Sequence, residues 1–162
     1  MAVEVENKYT TYLSFRVGKE LFGIPVAGVR EVLEIPKITP VPRTPDFMRG
    51  VINLRGEVVP VLDLRMKLGV QKIENTIDTS VVVVEQKGES DEDGITFGAL
   101  VDAVEEVFDL SAEEIEPPPN MGFQFDTHFL DGVGKRDQEF ALLLNLRQVF
   151  SDAALPGQLG SE

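Results

Sequence analysis

Asn53-Leu54-Arg55-Gly56 places a guanidinium between two runs of alternating apolar residues. At the end of a strand, that planar fork of N–H donors can grip a carboxylate or a pair of backbone carbonyls on another protein. This is chemistry of recognition rather than of bond breaking. The competing account is that the stretch is only a turn, with Gly56 supplying a positive φ. Glu31 is a second charged candidate, but Glu106 stands at its place in a later copy of the same segment. That echo favours a structural or simply solvated role for both.

Residues suited to catalysis are scarce. His128 is the only histidine and there is no cysteine, which removes a thiolate nucleophile, a thiolate metal site and a disulfide framework. No Gly-rich phosphate loop, serine elbow or His-Glu-x-x-His helix occurs. Glu89, Asp91, Glu92 and Asp93 precede Gly94, but without the alternate spacing and distant glutamate of a calcium loop, so they read as a solvated hairpin end. No catalytic residue, metal or cofactor is expected. The 28 acidic residues keep one alternative open, a small acidic β-barrel enzyme or carbohydrate-binding module. It would show convergent carboxylates in a concave pocket.

The elements that position Arg55 and Glu31 are written twice. Phe22-Gly23 to Val32 returns 75 residues later as Phe97-Gly98 to Val107, with the periodic apolar positions kept. At an offset of 82, Phe47-Met48-Arg49-Gly50-Val51 is answered by Phe129-Leu130-Asp131-Gly132-Val133, and Leu62-Asp63-Leu64-Arg65 by Leu144-Asn145-Leu146-Arg147. The change of offset puts seven extra residues between Leu110 and Phe129, where insertion marks a loop. The counterpart of Asn53 to Gly56 is Lys135-Arg136-Asp137-Gln138, so Arg55 belongs to one copy alone and is freer to serve a partner.

Within each copy, Leu13, Phe15 and Val17 alternate with polar residues up to a turn at Gly18-Lys19, which predicts a hairpin. Pro25 opens a short helical turn, with a strand expected from about Val32. Two strands flank Arg55-Gly56, Asp63 is suited to cap a brief helix ended by Gly69, and Glu139 onward reads as a strand. Four prolines from Pro36 to Pro45 keep that segment extended, and Ser111 to Glu114 has a capping-box pattern before Pro117. Short strands, Gly/Pro punctuation and scraps of helix predict a mainly all-β pseudo-repeat of two small barrels in tandem.

The net charge of −13 repels phosphate backbones and anionic lipid, so nucleic-acid and membrane-surface binding are not expected, and the partners are proteins. The longest apolar run is Val81 to Val84 and the N-terminus lacks a basic start before an apolar core, so neither membrane insertion nor secretion is expected. A cytoplasmic address agrees with the missing cysteines.

Tyr12 to Glu34, Val41 to Gly69 and Leu130 to Phe150 together resemble the CheW family of bacterial chemotaxis coupling proteins, most specifically through Arg49-Gly50-Val51-Ile52-Asn53-Leu54-Arg55-Gly56 and the residues up to Arg65. The resemblance implies two five-stranded SH3-like barrels around a shared core. They would interweave as subdomains of one domain over residues 12–150, with core repeats at 13–69 and 79–150 and flexible tails at 1–11 and 151–162. It implies a non-catalytic adaptor joining the cytoplasmic tip of methyl-accepting chemotaxis receptors to the regulatory domain of the histidine kinase CheA. Partner-binding positions of the family fall on Val29, Glu31, Gly50, Asn53, Arg55 and Gly56. Receptor contact is expected near the groove between barrels and kinase contact at barrel ends. A CheW-like adaptor of a parallel pathway controlling pili, development or gene expression is the nearest alternative.

Overall fold

The computed structural model describes residues 8–86, 94–118, 129–136 and 138–151. The acidic residues Glu89 to Asp93 and His128 lie outside them. Strands β1 (Tyr9–Val17) and β2 (Glu20–Pro25) form the expected hairpin. Gly18 has a φ of 64° at the first central position, which a two-residue type II′ turn reserves for glycine. Tyr9 to Thr11 are not a tail. They pair with Ser111, Leu110 and Asp109 of β8 (Ala103–Ser111), which is long enough to give them partners.

A single 3-10 turn at Val26–Gly28 leads into β3 (Val29–Glu34). The strand starts earlier than Val32 because Val29 already pairs with Val84 of β6 (Ser80–Gln86). β4 (Met48–Leu54) and β5 (Glu57–Asp63) flank Arg55-Gly56, and α1 (Leu64–Lys67) follows with Asp63 as its cap. Gly69 ends it at a φ of 87°. β7 (Ile95–Val101), β9 (Ile115–Glu116), β10 (Leu130–Arg136) and β11 (Glu139–Leu144) complete the strands. The capping box at Ser111 and Glu114 forms as read. A second helix, α2 (Leu146–Ser151), was not anticipated; Asn145 Oδ1 accepts from Gln148 N, the twin of the Asp63 cap.

Two sheets of one plan result, with orders β3-β6-β7-β5-β4 and β8-β1-β2-β11-β10-β9. Each takes its hairpin from the other copy. Hairpin β6-β7 of the second copy sits between β3 and β5 of the first, while β1-β2 of the first sits between β8 and β11 of the second. The exchange is symmetric to the residue. Gly98 faces Val61 in the parallel β7/β5 pair, and Gly23 faces Leu143 in the parallel β2/β11 pair. The two-residue β9 also has its counterpart, the single bridge Thr39 to Val51.

Burial follows the exchange. Ile52, Val59, Val61, Val81 and Leu100 fill the first barrel, and Tyr12, Leu21, Phe108, Leu110 and Leu143 fill the second. The largest cluster lies between them and contains Phe15, Phe22, Leu62, Val84, Phe97, Leu144 and Phe150. Phe97 and Phe150 meet edge to face at 4.8 Å, the packing that aromatic quadrupoles favour.

Two opposite charges lie inside the described part of the fold, Asp63 and Arg65. Arg65 is fully buried. Its Nε donates to Asp63 Oδ1 at 2.9 Å and its Nη2 to Asp63 Oδ2 at 3.0 Å. Nη2 also donates to Asn75 Oδ1 at 2.9 Å, and Nη1 to Asp102 Oδ1 at 3.2 Å. The other oxygen of Asp102 accepts from Gly18 N at 2.7 Å. A single guanidinium thereby ties the end of β5, the segment after α1, the β7–β8 junction and the β1–β2 turn together. Burial alone lowers the affinity of Arg65 for its proton, but bonds to Asp63 and Asp102 more than offset that and hold its pKa above the ordinary arginine value.

Candidate functional site

Leu54 pairs with Glu57, so Arg55 and Gly56 form a two-residue turn, and their φ values are 51° and 88°. Two positive values make this a type I′ turn, which favours asparagine or glycine at the first position. An arginine there is not what the fold would choose. Asn53 Oδ1 accepts from Gly56 N at 2.7 Å and braces the turn from inside.

The fork of Arg55 is occupied from within the chain. Nη1 donates to Glu31 Oε2 at 2.7 Å and Nη2 to Glu31 Oε1 at 2.9 Å, joining β3 to the β4–β5 turn. The carboxylate that sequence reasoning looked for on a partner is thus Glu31 itself. Both groups stay in reach of solvent, the side chains being 69% and 23% exposed for Arg55 and Glu31. Arg30 and Glu57 add a parallel pair at 3.3 Å. Val58, opposite Asn53, is 70% exposed and sets an apolar surface beside the charges.

Gly50 and Val29 play a different part. Gly50 is buried with a φ of 143°, and a Cβ there would stand 2.2 Å from the carbonyl oxygen of Thr39. It lets the proline-rich segment lie against β4. Val29 is half-buried and packs on the shared core. The six sequence candidates therefore fall into a surface set, Glu31, Asn53, Arg55 and Gly56, and a supporting set, Val29 and Gly50.

The second barrel repeats the ion pair where positional matching found none. Arg136 Nη2 donates to Glu106, the counterpart of Glu31, although Arg136 itself matches Leu54 rather than Arg55. Its guanidinium also lies 4.2 Å from the Phe108 ring centre. Arg16 joins the same edge through Glu139 at 2.5 and 2.9 Å and Glu105 at 2.9 Å. Phe140, the counterpart of Val58, is 59% exposed. Sequence reasoning missed Arg16, Arg136 and Glu139; the echo of Glu31 in Glu106 was the signal that a second arginine should be sought.

The bond from Arg55 holds the Glu31 carboxyl below its ordinary value, and the bonds from Arg16 do the same for Glu139. With folded values depressed, both pairs stabilise the fold fully above the ordinary glutamate value of 4.5 and lose that contribution as pH falls through the lower folded values. NMR titration of the Glu31 carboxyl carbon is expected to give a midpoint below 4.5 that returns toward it in Arg55→Gln. An unchanged midpoint in the variant would dissolve the pairing.

Between the barrels lies a cleft of about 280 Å³, bordered by Ile24 and Pro25 of β2, Val84 of β6, Leu144 of β11, and Asn145 and Leu146 at the start of α2. No cluster of metal-ligating side chains occurs among the described residues.

Residues 11–154 match the family model for the CheW-like domain. The chain belongs to the CheW family. It is 34% identical over 140 residues to the chemotaxis protein CheW of Klebsiella aerogenes, covering 86% of this chain and 81% of that one. Protein FrzA of Myxococcus xanthus is 34% identical over 147 residues, with 88% and 86% covered. The crystal structure of the scaffolding protein TtCheW from Thermoanaerobacter tengcongensis superposes with a TM-score of 0.78 at 34% identity, over 88% of this chain and 93% of that one. As a member of the CheW family, the chain is a chemotaxis adaptor with the two-barrel β fold.

Proposed function

We propose that this CheW-family chain joins the cytoplasmic tip of methyl-accepting receptors to the regulatory domain of CheA, and that it works by contact without turning over a substrate. The observation that carries the reading is Arg55, an exposed arginine held at positive φ where the hairpin itself would favour asparagine. Kinase contact falls at the barrel end formed by Glu31, Asn53, Arg55 and Gly56, with Val29 and Gly50 shaping it from beneath. The receptor tip occupies the cleft between barrels, whose lining mixes Ile24 and Pro25 with Glu85, Asp131 and Arg147 and so meets both apolar and polar groups. The shifted carboxylates support this reading over the enzyme alternative, since Glu31 and Glu139 are held as anions by arginines rather than raised into service as acids.

The site of action is the cytoplasmic face of receptor arrays, reached through protein contacts. Among the described residues no helix is long and apolar enough to cross a membrane. An adaptor role in a parallel chemosensory pathway is the second reading, and neighbouring motility or pilus genes would separate the two.

Co-sedimentation with the organism's kinase and a receptor signalling fragment tests the proposal. Arg55→Glu sets a like charge against Glu31 and is expected to weaken assembly, while the thermal midpoint stays close to that of the unchanged protein. Arg55→Asn creates the favoured Asn-Gly turn, so its midpoint should hold or rise as assembly weakens. Normal assembly by both variants would remove Arg55 from the interface. Unfolding of both would make the turn architectural.

A further inference from the structure

Arg43 is the other described non-glycine residue at positive φ, 64°, and it too is an exposed arginine. Its segment is pinned on both sides. Val41 and Phe47 pack on the shared core, Thr44 Oγ1 donates to the Val41 carbonyl at 2.9 Å, and Met48 N donates to the Pro45 carbonyl at 2.9 Å. Arg43 therefore stands at a fixed tip in a conformation that asparagine or glycine would fill with less strain.

Beyond Phe47 the cations continue. Lys67 Nζ lies 5.0 Å from the Phe47 ring centre, and Arg49 reaches the sulfur of Met66 at 3.5 Å, so β4 and α1 bring both charges to one end of the first barrel. Arg16, Arg30, Arg55, Arg65 and Arg136 each hold a carboxylate. Arg43, Arg49 and Lys67 hold none among the described residues. Lys8, Lys19, Lys37 and Lys72 hold none either, but Arg49 and Lys67 are brought together with the apolar side chains of Phe47 and Met66.

We propose that this face docks a carboxylate-rich segment of a partner protein. A long polyanion would drag many charges past a repulsive surface, whereas a short acidic segment meets only the cations. Phe47 and Met66, both half-buried, offer apolar contact between the charges, so the segment carries an apolar side chain among its carboxylates. Asp46, exposed within the same segment, leaves the cationic excess in place. This inference stands apart from the Arg55 interface and uses the full chain alone.

The probe is a fluorescein-labelled peptide rich in glutamate and leucine, followed by anisotropy at low and at physiological salt. Binding that weakens with salt is expected, with affinity reduced about tenfold or more in the Arg49→Glu, Lys67→Glu double variant. Arg43→Asn should also bind more weakly while its thermal midpoint holds or rises, which a merely structural role for Arg43 would not give. Equal binding by the double variant, equal binding of the glutamine analogue of the peptide, or no binding by the unchanged protein overturns the proposal. So does capture of anionic vesicles or duplex DNA that these substitutions abolish.

Discussion

Arg65→Ala is expected to remove about 3–5 kcal/mol of unfolding free energy, read from urea denaturation. The alanine leaves Asp63 buried with its charge uncompensated, and it strips Asn75 Oδ1 and Asp102 Oδ1 of a donor. The loss is large because several segments depend on the same group. Arg65→Lys keeps the charge but replaces the fork by a point donor, so it is expected to recover only part of the stability. A loss below about 1 kcal/mol in Arg65→Ala would mean that the buried ion pair is offset by its own desolvation and that the segments hold without it.

Gly50→Ala should be comparably damaging, at about 2–5 kcal/mol, since it combines an unfavourable φ with a collision against backbone. The obstacle is the Thr39 carbonyl, which accepts from Val51 N at 2.9 Å and cannot withdraw without breaking that bridge. Loss of kinase binding in this variant should accompany a lowered thermal midpoint, unlike the loss in Arg55→Asn. A Gly50→Ala protein of unchanged stability would show that the proline-rich segment is free to move away.

Period-two alternation, the glycine turns and the Asp63 cap were legible because they are local. Leu13, Phe15 and Val17 point inward for the same reason that any half-buried strand alternates. Two barrels could be counted from the repeat, yet the hairpin exchange could not, since pairs such as Leu142 with Phe22 join distant parts of the chain and leave no local mark. Helix α2 was within reach, because Leu144-Asn145-Leu146-Arg147 had already been matched to the segment that Asp63 caps.

Of the site, the positions were readable and the partners were not. Arg55 and Glu31 were each singled out, but nothing in their types says that they bind each other across β3 and the β4–β5 turn. Arg136 escaped because matching by position pairs Arg55 with Asp137, while the geometry lets a neighbour reach Glu106. Arg65 was not singled out, and its spacing of two from Asp63 was the available hint that a carboxylate follows it inward.

The reciprocal placement of the hairpins bears on how the chain could ever be divided. Severing it in the 70–79 connection yields two fragments, each with a hairpin whose slot is in the other and a slot whose hairpin is in the other. Neither fragment alone could close a barrel, but mixed together they would regenerate both. A half-length chain with the same slots would close its barrels only by intertwining with a second copy, the geometry of a domain-swapped pair.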